Sequence, residues 1–107
     1  MGNLLTLVLT LSLSLVTLGA EEAKNGEKLF KEYCWGCHHQ TAEAFGPSFR
    51  TIARKRSREL IMAQIADPQH TYRQLGYSRN SMPAFADLNQ SQLERLCDYI
   101  ISFKDAK

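Results

Sequence analysis

The stretch Cys34-Trp35-Gly36-Cys37-His38 constrains this chain more than any other. Two thiols three positions apart, followed at once by an imidazole, match the spacing of c-type haem attachment. Two vinyl groups of one porphyrin reach the two sulfurs, and the histidine nitrogen sits under the iron as an axial ligand. Three other chemistries compete for the same residues: a disulfide, half of a zinc site, or a thioredoxin-like redox pair. Zinc needs a second pair of ligands, but the only other cysteine is Cys97, and His39 and His70 stand at no usual ligand spacing. A thioredoxin-like pair needs a βαβ context, for which the sequence carries no pattern. The haem reading is therefore the one to set against the rest of the chain.

Residues 1–20 carry no charged side chain and hold a Leu/Val-rich core from Leu4 to Leu18, ending in Leu18-Gly19-Ala20 before Glu21-Glu22. This has the form of a secretory signal peptide. Its apolar run is short against the roughly 20 residues a membrane span needs. A basic leader is missing and Thr and Ser interrupt the run, so an uncleaved anchor is the alternative. The remaining residues, 21–107, form one domain of a size at which a side-chain core alone is marginal. A buried porphyrin would supply much of the missing apolar contact. The formal net charge is only +2, and an exported chain with so small a charge and no aromatic interleaving lacks the footprint of a nucleic-acid binder.

From Ala23 the pattern turns helical, with Gly26, Leu29, Phe30 and Tyr33 at i, i+3, i+4 and i+7. A glycine on the apolar face of a helix costs about 1 kcal/mol against alanine, so Gly26 implies either close approach of another element or tolerance at a frayed start. Residues 39–47 read as a loop closing in Gly46-Pro47, and His39 is either a rival ligand or the exposed neighbour of a fixed one. Ser57 is the N-cap of a helix whose Leu60, Ile61, Gln64 and Ile65 share a face and which Asp67-Pro68 stops. Met62 lies off that stripe. Arg50, Arg54, Lys55, Arg56 and Arg58 form a basic run: a solvated face by default, otherwise partners for haem propionates or for an acidic redox protein. After a polar stretch from Gln69 to Asn80 comes Ser81-Met82-Pro83. Met82 is either core filler or a soft thioether ligand for the iron face opposite His38. A final helix begins at Asn89-Gln90 with Gln92 placed for a capping box, buries Leu93, Leu96, Cys97, Ile100 and Ile101, and ends near Lys104. Cys97 in that stripe reads as a small buried hydrophobe, with a disulfide-linked dimer as the alternative.

Taken together, Gly26 and Phe30, Cys34-x-x-Cys37-His38, Gly46-Pro47, Met82-Pro83 and a C-terminal helix carrying Tyr99 resemble the small monohaem class I c-type cytochromes over nearly all of residues 23–104. The resemblance implies an all-α fold, about four helices wrapped around one covalent haem c, with the terminal helices crossing near Gly26 and Phe30 and Tyr99 at the contact. It implies thioether bonds from Cys34 and Cys37, His38 as an axial ligand supported by Pro47, and Met82 as the second axial ligand. Haem-pocket hydrogen bonds fall to Tyr77, Arg79 and Asn80. The tryptophan usual near a propionate is absent; Trp35, within the motif, is the only one.

With both axial positions filled, the implied reaction is one-electron transfer, with no substrate turned over by the chain. The haem would shuttle electrons between membrane-bound or periplasmic oxidoreductases as a monomer in the periplasm; the resemblance to c-type cytochromes implies that haem joins the thiols outside the cytoplasm, as in bacteria. Two rivals remain: a haem subunit fixed in a larger complex, and a haem enzyme or gas binder with an open distal site. The latter needs a distal acid-base group, for which His39 and His70 are the available histidines.

Overall fold

The computed structural model describes residues 25–107, so the expected signal segment lies outside the described residues. The first described element, α1 (25–33), runs straight into the motif. Cys34 and Trp35 donate their amides to the Phe30 carbonyl at 2.9 and 3.0 Å, and Cys37 and His38 donate to that of Cys34 at 3.1 and 2.9 Å. The helical curl thus continues through C-x-x-C-H and presents both thiols and the imidazole from one compact turn.

A loop leads to α2 (Phe49–Lys55), whose N-cap Ser48 accepts from the Thr51 amide. Ser57 caps α3 (Arg58–Ala66) in the same way, accepting from Leu60 N–H. Asp67 ends α3, and Pro68 opens α4 (Pro68–Thr71), a single turn. That turn falls partly within the stretch read as merely polar. Proline at the first helical position loses no hydrogen bond, so the residue that stops one helix starts the next. Beyond it the chain bends at Gly76, whose φ of 88° is the one left-handed backbone conformation among the described residues. It then runs without regular structure to Asn89.

The last helix, α5 (Gln90–Ile101), starts with the expected capping box. Gln92 N–H donates to Asn89 Oδ1 at 2.8 Å, and Asn89 N–H donates to Gln92 Oε1 at 2.9 Å. It ends three residues earlier than periodicity implies, because the amides of Phe103 and Lys104 bond to Ile100 and Ile101, tightening the helix into i→i+3 turns. No strand occurs among the described residues, and no described helix is long and apolar enough to cross a membrane.

The core forms where α1, α2 and α3 meet α5, and holds Phe30, Phe49, Ile61, Ile65, Leu96 and Ile100. The α1–α5 crossing lies at Gly26. A Cβ there would stand 2.6 Å from the Arg95 carbonyl oxygen and 3.0 Å from Tyr99 Cβ, so close approach is what glycine serves. Phe30 and Tyr99 rings meet at 5.5 Å beside it.

The basic run is not a free solvated face. Arg54 donates to the carbonyls of Lys104 and Ala106, Arg56 to that of Leu75, and Arg58 pairs with Asp98 at 2.6 Å. These arginines tie α2 and α3 to the later chain. Cys97 has no exposed surface, and burial raises its thiol pKa above the ordinary value. Its sulfur is enclosed by the core, as expected of a small buried hydrophobe.

Candidate cofactor site

The helices enclose a cavity of about 330 Å³ beside the C-x-x-C-H turn. The eight residues that the resemblance assigns to the haem site all line it: Cys34, Cys37, His38, Pro47, Tyr77, Arg79, Asn80 and Met82. Most of the remaining wall is apolar, with Ile52, Leu60, Ile61, Ile65 and Leu75 among its residues.

His38 is held from three directions. Its Nδ1 lies 2.7 Å from the Pro47 carbonyl oxygen, which, as an acceptor only, fixes the proton on Nδ1 and leaves Nε2 with its lone pair free. Phe49 stacks on the ring at 5.9 Å with a 28° interplanar angle. Gly46 lies so close that a Cβ on it would collide with ring atoms Cε1 and Nδ1. Gly46-Pro47 therefore works as a unit, the glycine making room for the ring and the proline orienting it.

Met82 is fixed through its backbone. Asn80 accepts from Met82 N–H at 3.1 Å and donates from Nδ2 to the Met82 carbonyl at 2.9 Å, bracketing the residue from both sides. The side chain is also touched: Gln64 Nε2 approaches Met82 Sδ at 3.8 Å. Asn80, which lines the cavity, thus holds the loop that carries Met82. Tyr77 packs its ring under the Arg56 guanidinium at 5.8 Å.

The two motif cysteines differ in setting. Cys34 is buried and Cys37 exposed. Burial, with Cys37 beside it adding to the rise, pushes the Cys34 thiol up to about 12, so it is neutral at physiological pH.

Sequence reasoning passed over several cavity residues. Gln64 is the most telling, because its buried Oε1 has no hydrogen-bond partner. A glutamine on an otherwise apolar stripe of α3 was the available signal. Arg56 was named only as one of the basic run, with haem propionates among the partners open to it. Phe45 and Tyr33 line the rim at 79% and 45% exposure. The other candidates lie elsewhere: His39 packs its ring on Trp35, His70 pairs with Asp67, and neither lines the cavity, nor does Met62.

The donor set fits a haem. A cavity with mostly apolar walls holds one imidazole with a free Nε2, one thioether, two thiols on a single turn, and the cations Arg56 and Arg79 for carboxylates. Among the described residues no group of three or more His, Cys, Asp and Glu is placed to hold a bare metal ion.

Comparison with known proteins agrees. A family model described as cytochrome C oxidase, cbb3-type, subunit III, matches residues 21–100. Cytochrome c6 of Cyanidioschyzon merolae is 26% identical over 102 residues, covering 95% of this chain and 94% of the relative. Among solved structures, cytochrome c from Rhodothermus marinus matches with a TM-score of 0.64 at 23% identity, over 82% of this chain and 81% of that one, a likeness of fold. An engineered cytochrome c from the same organism (Rma TDE), bound to a carbene intermediate, matches at 0.62 with 27% identity over 80% of each chain. The all-α fold, the cavity beside the attachment motif and the family match over residues 21–100 together make this chain a member of the cytochrome c family described by the cbb3-type subunit III model, a small class I c-type cytochrome that transfers electrons through haem.

Proposed function

We propose that the chain is a one-electron carrier with a single haem c, joined through thioethers to Cys34 and Cys37 and ligated by His38 and Met82. One observation carries the reading: an imidazole oriented by a backbone carbonyl and a methionine whose backbone Asn80 brackets line the same cavity as both motif thiols. The haem supplies the chemistry, gain and loss of one electron at iron. His38 would hold the iron through a basic nitrogen, and Met82 through a soft, weakly donating sulfur that would favour the reduced state. The apolar walls would keep water from the reacting centre, and Arg56, Arg79 and Tyr77, which line the same cavity, would be available to its carboxylates. With His38 and Met82 both holding the iron, no position would be left for a substrate, and the protein's task would be orientation and weak, rapid docking.

The partners are redox proteins, membrane-bound or periplasmic, met by a monomer exported behind residues 1–20; nucleic acid and zinc have no part in this reading. The description of the matching family favours one second reading, a haem subunit fixed in a larger redox complex. Purification of the chain from its own cells separates the two. A free monomer that reduces more than one acceptor supports the carrier, and co-elution with a membrane complex supports the subunit.

The central test joins intact mass, a pyridine haemochrome spectrum and the ferric absorption spectrum. One porphyrin added per mature chain, with a low-spin ferric spectrum that turns high-spin in Met82→Ala, is the expected result. A colourless folded chain, or a wild-type protein already high-spin, overturns the assignment.

A further inference from the structure

The loop that orients His38 carries a carboxylate that the electron-transfer reading does not use. Glu43 accepts three hydrogen bonds: from Ser48 N–H at 3.0 Å, from the Ser48 hydroxyl at 3.2 Å and from the Thr51 hydroxyl at 2.6 Å. Ser48 is fully buried and is the N-cap of α2. Its nitrogen belongs to the same peptide unit as the Pro47 carbonyl, which receives the His38 Nδ1 proton at 2.7 Å.

We propose that Glu43 is a positioning residue for His38, acting through the Pro47–Ser48 peptide bond, whose N–H it holds while the C=O of the same unit accepts from the imidazole. In a planar trans peptide the N–H and C=O point in opposite directions, so carboxylate, amide and imidazole form one continuous chain of donors and acceptors. An anionic acceptor on the N–H draws the amide toward its charge-separated form and places more negative charge on the carbonyl oxygen. Chains of hydrogen bonds strengthen one another by roughly 10–30% per bond. The stronger pull on the Nδ1 proton makes Nε2 a better donor and stabilises the oxidised iron. Metal-bound histidines commonly reach a carboxylate directly; here one peptide unit stands between.

The carboxylate is built to stay charged. The Thr51 hydroxyl, then the Ser48 amide, hold its pKa below the ordinary value. Glu43 is exposed to solvent, so bare Coulomb attraction across space is screened, whereas polarisation through the covalent peptide is not. Backbone bonds from Gly46 N–H to the Cys37 carbonyl at 2.7 Å, and from Phe49 N–H to that of His39 at 2.9 Å, close the same loop independently. Loss of Glu43 therefore leaves the loop in place.

The inference rests on His38 being the imidazole ligand, and the test separates the two. Glu43→Gln and Glu43→Asp are compared with wild type as holoproteins, by equilibration with a one-electron mediator and by proton NMR of the His38 ring. Glu43→Gln is expected to shift the equilibrium toward the reduced form between about two- and tenfold, the larger figure being 59 mV for one electron. The shift persists in 1 M salt, where the Debye length falls to about 3 Å, and the Nδ1 proton resonance moves upfield. Glu43→Asp keeps the charge but is one methylene short of the Ser48 amide, and is expected to shift the equilibrium in the same direction by less. A resonance that does not move, a shift that vanishes in 1 M salt, or an unmoved equilibrium in Glu43→Asp overturns the proposal. Failure of the ligation reads differently: His38 then gives no hyperfine-shifted ring resonance in the wild-type ferric protein.

Discussion

Gly26→Ala sets two well-measured effects against each other, and the structure decides the sign. Replacing glycine by alanine inside a helix stabilises by up to about 1 kcal/mol. Against it stands a backbone oxygen: the new methyl would lie 2.6 Å from the Arg95 carbonyl and 3.0 Å from Tyr99 Cβ. Ordinary contact begins several tenths of an ångström further out, and neither neighbour is the free end of a flexible side chain. Helices α1 and α5 must part, at a cost of about 1–3 kcal/mol for overpacking, with further loss from the Phe30–Tyr99 ring contact. The net is a destabilisation of about 1–2 kcal/mol, or roughly 4–16 °C in melting temperature for a domain of this size. Denaturant titration of the ferric holoprotein by far-UV circular dichroism measures it. A Gly26→Ala protein as stable as wild type would refute the reasoning, since helix propensity would then have outweighed the crossing.

Gly46→Ala drives a methyl into the His38 ring; it is expected to displace the imidazole and to appear as loss of low-spin ferric absorption or of haem incorporation, with an unchanged spectrum refuting the contact. Gln64→Leu removes the donor near Met82 Sδ together with a buried oxygen that has no partner. Stability is expected to hold or rise, by as much as about 1–3 kcal/mol, while the long-wavelength thioether-to-iron band shifts or weakens. A less stable protein with that band untouched would count against this account of Gln64. Glu43 also makes an acid prediction: its folded pKa is depressed, so its stabilisation is present above the unfolded carboxylate pKa and is lost as pH falls through the folded value. Glu43→Gln should flatten that part of the stability-pH curve, and acid titration of both proteins compares them directly.

Local chemistry was legible in the sequence because short-range physics sets it. The C-x-x-C-H spacing, the serine cap at Ser57, the Asn89–Gln92 capping box and the stop at Asp67-Pro68 each involve residues within one helical turn, and each acts through the backbone beside it. The stripe of α5 and the value of a glycine at position 26 were readable for the same reason, although the element Gly26 makes room for was named only by resemblance.

What tertiary structure alone decided depends on contacts between distant segments. Periodicity made the arginine run look like a solvated face, yet Arg54, Arg56 and Arg58 find carbonyls and a carboxylate 19 to 52 residues away. Gln64 read simply as one of the residues on the α3 face; the fold is what brings Met82 to its side-chain amide. The Glu43 carboxylate meets the far side of the peptide that orients His38 only because the loop folds back on itself. Sequence spacing fixes which donors and acceptors a turn can join; the energy of burying them, which selects their distant partners, is a property of the closed fold.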